Sequence, residues 1–282
     1  MITEKAGLNI SDRTLQREFA ARNMKYYKLK ERQILEDADV PKRKEWAKAH
    51  RGRQCVTWVN KLPHAIIDNK HFQLFRNAKG RRHAARRSVR GAYQARGQQP
   101  HAHMVKPKGG NVKCPAGGVT VTAAVIKGRI RMWNYVDGKW NGEKAAAMYS
   151  GPLVQAMSRA FPAHAKKRCA KWVVMEDNDP TGFKSSKARA AKRDTGIVTD
   201  DLPPRSPDLN VLDYSLWHTI NMKMRRQEAS FPDDLTETAE EYKARLRKTA
   251  MGLPATQVSR AVGDMVRRCN ALWDRRGRLF TE

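Results

Sequence analysis

Acidic residues are scarce in this chain, 28 against 56 Lys and Arg, so the positions of the few carboxylates carry information. Three aspartates stand where elements start or stop. Asp68 closes the apolar run His64-Ala-Ile-Ile-Asp68, Asp177 follows closely on Trp172-Val-Val-Met175, and Asp213 opens a helical pattern after a proline-rich turn. Strand ends and helix starts on one edge of a sheet can converge on a point. Three converging carboxylates are what two magnesium ions, about 3.5–4 Å apart, need to activate an attacking oxygen and stabilise a leaving one in phosphodiester cleavage. The same positions also suit aspartates that merely cap or turn their own elements, and spacing alone leaves both readings open.

The remaining candidate ligands read more plainly. Asp208, within Ser206-Pro-Asp-Leu-Asn210, is expected to fix its turn, and Asp179 to cap the turn after the strand. Glu176 points to the opposite face from Asp177 if the strand continues. His101 and His103 lie in a Gly-, Pro- and Gln-rich stretch with no third ligand nearby, which suits phosphate contact or solvation. Cys55, Cys114, Cys169 and Cys269 form no CxxC pair, so neither a zinc finger nor a disulfide framework is indicated.

The 282 residues carry a net charge of +28, with 40% hydrophobic residues and seven Trp. That combination describes a folded protein with a polyanionic partner, most simply nucleic acid, and argues against an ordinary small-metabolite enzyme. No signal peptide precedes the first elements and no apolar run is long enough to span a bilayer. The charge is uneven: from Asn69 to Val136 there is no acidic residue and there are 15 Lys or Arg. The middle of this window, 76–117, reads as a long basic loop. Its Arg81, Arg82, Arg86, Arg87 and Arg90 suit a phosphate backbone, although a solvated insertion gives the same composition. Near the start, Ser11 caps a helical pattern with Leu15, Phe19 and Met24 on one face and Arg13, Gln16 and Arg17 turned outward. That face suits DNA reading, and equally any basic amphipathic helix.

Several elements must position these groups. The residues from Tyr26 to Asp39 read as a charged connector, and Pro41 opens a helix running through Trp46. His64–Asp68 and Phe72–Phe75 read as an antiparallel strand pair about a turn. Val119–Ile126 and Ile130–Tyr135 make a hairpin about Lys127-Gly128-Arg129. A helix over 142–161 is interrupted at Gly151-Pro152. Trp172–Met175 is a buried strand, followed by a basic helix over 185–193, a strand at 197–199, a helix over 213–228 and one closing helix after Pro254. Strands and helices in that order imply a mixed α/β fold.

The segments Val174-Met-Glu-Asp-Asn-Asp-Pro180, Leu202-Pro-Pro-Arg-Ser-Pro-Asp-Leu-Asn210 and Asp213-Tyr-Ser-Leu-Trp217 together resemble the signature of mariner-type transposases in the DDE/D superfamily. Upstream, Ile66-Ile-Asp68 and the basic segment from Lys42 to His50 resemble the family's first catalytic strand and the helix before it. The resemblance implies a ribonuclease-H-like mixed sheet flanked by helices over 53–282, with the basic segment 76–117 as a clamp-like insertion. Residues 1–52 would form a linker and a short helical remnant of a helix-turn-helix. Asp68 would bridge two Mg2+ ions, with Mn2+ as substitute, while Asp177 and Asp213 would each hold one. The implied reaction cuts transposon ends and joins the freed 3′-hydroxyl to target DNA. The implied partners are double-stranded DNA and a second copy of the chain, with no membrane; the compartment is the nucleus in a eukaryote and otherwise the cytoplasm.

Some positions depart from the family pattern. Asn69 follows the first aspartate where relatives often carry Glu, and Val211 replaces a Pro that often follows the Asn of the turn. The 35 residues between Asp177 and Asp213 are one more than usual. A full pair of helix-turn-helix units does not fit before residue 25. The alternative function is therefore a domesticated or decayed relative that binds DNA without cutting it. A basic RNA-binding protein would explain the charge and leave the two Pro- and Asp-rich motifs unexplained.

Overall fold

The computed structural model describes residues 11–28, 31–32, 35–75, 77, 91–95, 106–107, 117–167 and 170–279. They belong to two compact units, Met1–Ile34 with Arg82–Val112, and Leu35–Arg81 with Lys113–Glu282. In the smaller unit, α1 (Asp12–Ala21) is capped by Ser11, whose hydroxyl accepts the Thr14 N–H at 3.1 Å. Arg13, Gln16 and Arg17 are exposed on it while Leu15 and Phe19 are half-buried. Part of the expected connector is strand instead: β1 (Met24–Lys28) pairs antiparallel with β4 (Gly91–Ala95), and β2 (Glu31–Arg32) pairs parallel with β5 (Lys106–Pro107). Part of the segment read as basic loop thus supplies partner strands to residues 63 to 75 positions upstream, a non-local pairing that local composition does not reveal. Arg81, Arg82, Arg86, Arg87, Arg90, His101 and His103 lie outside the described residues.

The larger unit begins with helices α2 (Asp39–His50) and α3 (Cys55–Asn60) and strand β3 (Ala65–Gln73). It continues from β6 (Gly118–Ile126) and β7 (Arg129–Val136) to α4 (Gly142–Met148), a π turn at Tyr149–Leu153, α5 (Val154–Ala160) and α6 (Pro162–Ala165). Then follow β8 (Trp172–Glu176), α7 (Ser186–Asp194) and β9 (Ile197–Asp201). After a second π turn at Leu212–Leu216 come α8 (Trp217–Ala229), α9 (Ala239–Met251), α10 (Ala255–Gly263) and α11 (Met265–Asp274).

The five strands form one sheet in the order β7-β6-β3-β8-β9, antiparallel across β7, β6 and β3 and parallel across β3, β8 and β9. Alternation along the strands sorts the core into two layers. Ile66, Val121, Ala123, Val125 and Met175 pack on one face with Trp217, Ile220, Leu246 and Leu272 of the later helices. Ala65, Ile67, Ala124 and Val174 pack on the other with Met148, Tyr149, Leu153 and Ala188. The β6–β7 hairpin turns tightly through Lys127 (φ 48) and Gly128 (φ 60), the left-handed pair of a type I′ turn. A Cβ on Gly128 would come within 2.1 Å of the Ser259 hydroxyl oxygen.

Three expectations are corrected here. The strand pair about a turn is one continuous strand, because Asn69, Lys70 and His71 stay in register with Thr122, Val121 and Thr120 of β6. The helix break at Gly151-Pro152 is a π turn that keeps the axis going, so the missing proline N–H is absorbed without ending the helix. The closing helix is two, parted at Asp264, whose carboxylate accepts bonds from Arg267 and Arg268 at 2.7–3.0 Å. No helix among the described residues is long and apolar enough to cross a membrane.

Candidate active site

Strand alternation decides which carboxylates share a face. Asp68 is two residues from Ile66 and Asp177 two from Met175, so both belong to the face covered by α8, while Glu176 falls with Val174 on the other. Asp213 enters this face from the π turn that precedes α8, and it is half-buried. The sheet therefore brings Asp68 and Asp177 to one side and the helix delivers Asp213 to it.

The link between helix and strand is Asn210. Its amide donates to the Ile67 carbonyl at 3.2 Å and its oxygen accepts the Leu212 N–H at 3.1 Å. One side chain thus joins the residue before Asp68 to the residue before Asp213. The turn carrying Asn210 is itself anchored by Asp208, which receives two bonds from the fully buried Arg43 at 2.9 and 2.6 Å. Arg43 also donates to Ser206 Oγ at 2.6 Å and the Gly277 carbonyl at 2.9 Å, and Arg268 donates to the Asp208 carbonyl at 3.0 Å. Asp208 fixes its turn, as its place in the motif suggests.

Asp68 is 6% exposed, and its Oδ2 accepts the Trp217 indole N–H at 2.7 Å. That indole is steadied by edge-on rings at Phe72 and Trp133, with centroids 5.7 and 6.0 Å away. Burial above all, then the charges of Asp213 and Asp177, raise the Asp68 carboxyl well above the usual carboxylate range, while Trp217 and the Asn69 N–H oppose the rise. Burial likewise lifts Asp177 to about 6, with the charges of Asp179, Asp213 and Glu176 adding to it and the Asp179 N–H, which donates to Oδ1 at 3.1 Å, counteracting it. In a chain of net charge +28, none of the groups that most shift these two carboxyls is a Lys or Arg. Each of these two carboxyls thus feels both its burial and the charge of Asp213.

The neighbouring acids do other work. Glu176 is fully buried on the opposite face, where Tyr149 Oη and Lys192 Nζ donate to it and Lys184 Nζ donates at 3.0 Å. Asp179 caps its turn by accepting the Thr181 N–H and hydroxyl at 3.0 and 2.7 Å, the Gly182 N–H at 3.1 Å and the Trp140 indole at 2.8 Å. Asn178 donates to the Leu202 carbonyl at 2.6 Å and so fixes the chain directly after Asp177.

Hard carboxylate oxygens that mutually raise their proton affinity fit a divalent cation such as magnesium or manganese. Among the described residues, no three His, Cys, Asp or Glu side chains stand at joint ligand distance in this conformation. The hydrogen bonds just described turn an oxygen of Asp68 to Trp217 and one of Asp177 to its own turn. Trp217, Asn210 and Arg43 were not singled out from sequence; the first two lie inside the quoted motifs, which is the one signal that pointed to them.

No protein-family model matches the chain, nor does any curated protein. Solved structures do. The Mos1 transposase paired-end complex with left transposon end superposes with a TM-score of 0.60 at 15% identity, covering 99% of this chain and 74% of that one. The Mos1 mariner paired-end complex with Mn gives 0.61 at 14%, covering 100% and 75%. The Mos1 catalytic domain with raltegravir and Mg gives 0.56 at 15%, covering 88% of this chain and all of that one. The mixed five-stranded sheet flanked by helices is the ribonuclease-H-like fold of the Mos1 transposase catalytic domain.

Proposed function

We propose that the chain is a mariner-type DDE/D transposase, which cuts transposon ends and joins the freed 3′-hydroxyl to target DNA. The observation that carries this reading is that Asp68 and Asp177, on one face of a ribonuclease-H-like sheet, are both raised by burial and by the charge of Asp213. These three residues would hold Mg2+ or Mn2+, two ions in the full site, which supply electrostatic activation of the attacking oxygen and stabilisation of the leaving one. In the first step water adds to phosphorus and gives up a proton to solvent while the 3′-oxygen leaves and takes one up; in the second that 3′-hydroxyl attacks a target phosphodiester, losing its proton, and displaces the target strand's 3′-oxygen, which leaves as a hydroxyl. The chain's own contribution is positioning. Trp217 orients the Asp68 carboxylate and favours its charged form, Asn210 holds the approach of helix to strand, and Arg43 holds Asn210's turn.

Duplex DNA, bound through the excess of Lys and Arg and by the exposed Arg13, Gln16 and Arg17 of α1, is the substrate in this reading. A homodimer on DNA, with 76–117 as the clamp, is part of the same proposal, as is action in the nucleus of a eukaryote or the cytoplasm otherwise. A second reading, a transposase-derived DNA binder without cleavage, is favoured by the lack of a ready three-ligand cluster among the described residues. Asp213→Asn separates the two. The expected result is loss of Mg2+- or Mn2+-dependent nicking of a duplex with duplex affinity kept. A parent protein that binds duplex DNA and cuts neither the element's ends nor relaxed substrates with manganese would establish the second reading instead.

A further inference from the structure

The hairpin end of edge strand β7 forms a basic pocket on the larger unit. Arg129 and Arg131 of β7 and Arg159 of α5 line an open pocket of about 340 Å³ whose apolar lining is Ile130, Ala156 and Leu253, with Met251 at 40% exposure beside it. No carboxylate lines it. All three arginines are exposed and, among the described residues, none makes an ion pair; Arg131 donates one bond, to the Ile126 carbonyl at 3.2 Å. Two elements, β7 and α5, therefore deliver three guanidiniums with no ion-pair partner among the described residues to one concavity. Its position is also informative. The β6–β7 turn lies beside the start of β3, since Ile66 pairs with Val125, and Asp177 follows the C-terminal end of β8, just past the Met175 that pairs with Ile66. The carboxylates lie a few residues farther along the sheet, level with Asp68 in the middle of β3, and β7 is offset from them as the edge strand two strands away from β3.

We propose that this pocket grips the phosphate backbone of a second stretch of duplex DNA, separate from the stretch at the carboxylates; the proposal rests on the DNA-processing reading above. Guanidinium forks match phosphate oxygens bidentately, and three on one concave surface suit adjacent phosphates of one strand better than a single small anion. The apolar lining excludes water around those bonds and carries no base-reading group, so the contact is sequence-independent.

The test compares the full chain with its R129A/R131A/R159A variant in binding a long non-specific duplex over a range of salt. Three lost phosphate contacts lower the slope of log K against log salt by about 2–3. The expected result is that drop, with metal-dependent nicking of a short end duplex unchanged. R129K/R131K/R159K, which keeps the charge, should keep most of the slope, and this guards against a folding defect in the alanine variant. An alanine variant with the parent's slope overturns the pocket proposal alone. A parent with no salt-dependent DNA binding overturns the DNA reading and the pocket with it. Loss of polyglutamate binding in the alanine variant with the DNA slope intact assigns the pocket to an acidic protein and likewise overturns the proposal.

Discussion

Replacing Asp177 by Asn should make the metal-free protein more stable at neutral pH, and the size of the gain follows from the site. The carboxyl titrates near 6 in the fold against an ordinary 3.8, and at about 1.4 kcal/mol per pH unit that difference amounts to about 3 kcal/mol. A carboxyl whose folded value is raised binds more protons in the native than in the unfolded state between those two values. Stability is therefore undiminished below pH 4, falls as pH rises from about 4 to 6, and stays lower above it. Asn cannot ionise, and its side-chain oxygen can still accept the Asp179 N–H that Asp177 Oδ1 accepts at 3.1 Å. Urea unfolding in the presence of EDTA should then show the variant ahead by up to about 3 kcal/mol at pH 7.5, with the gap closing by pH 4. Millimolar Mg2+ should raise the midpoint of the parent and leave that of the variant nearly unmoved. A variant no more stable than its parent at pH 7.5, or a gap that does not shrink on acidification, would refute the claim that burial, with the neighbouring carboxylates, raises the Asp177 carboxyl.

Two further outcomes follow from other contacts. Trp217→Phe keeps the ring among Phe72 and Trp133 but removes the indole donor to Asp68; hydrogen bonds to charged groups contribute about 1.5–3 kcal/mol, so the acidic limb of the cleavage pH profile should move up by about 1–2 pH units, and an unmoved limb in a folded variant would show that the bond does not tune Asp68. Arg43→Met strands Asp208 beside a loop and frees the Gly277 carbonyl; removing one partner of a buried pair costs about 3–5 kcal/mol, which denaturant unfolding should record, with R43M/D208N recovering part of it, whereas a loss below about 1 kcal/mol would mean the turn is held by other contacts.

Much of the sheet could be read in advance because its strands are short apolar runs bounded by turn residues. Lys127-Gly128 is the clearest case, since a left-handed pair between two apolar runs leaves a hairpin as the simplest solution. Asp177 and Asp213 were legible through the motifs around them. Asp68 was legible as a strand residue but not as a mid-strand one, for a physical reason. Asn69, Lys70 and His71 look like turn residues, yet each pairs with β6, and polar partners meet them there: Thr122 donates to Asn69 and His71 contacts Thr120 at 3.2 Å. A polar ladder on a strand imitates a loop in one dimension. Arg43 was hidden by its surroundings, being the one fully buried arginine in a helix crowded with solvated cations. The strands of the smaller unit were hidden because each finds its partner far along the chain.

The knot around Arg43 has a consequence for the order in which the protein comes into being. Arg43 reaches Gly277 across 234 residues, and Arg268 closes on Asp208 across 60. During synthesis all three aspartates are made well before Arg268 and Gly277 emerge, so the turn that holds Asn210 beside Asp68 stays unsecured until the last helices arrive. A half-finished chain would carry Asp68, Asp177 and Asp213 with the scaffold that aligns them incomplete. Under the proposed function, an aligned site that arrives last would confine DNA cutting to finished molecules.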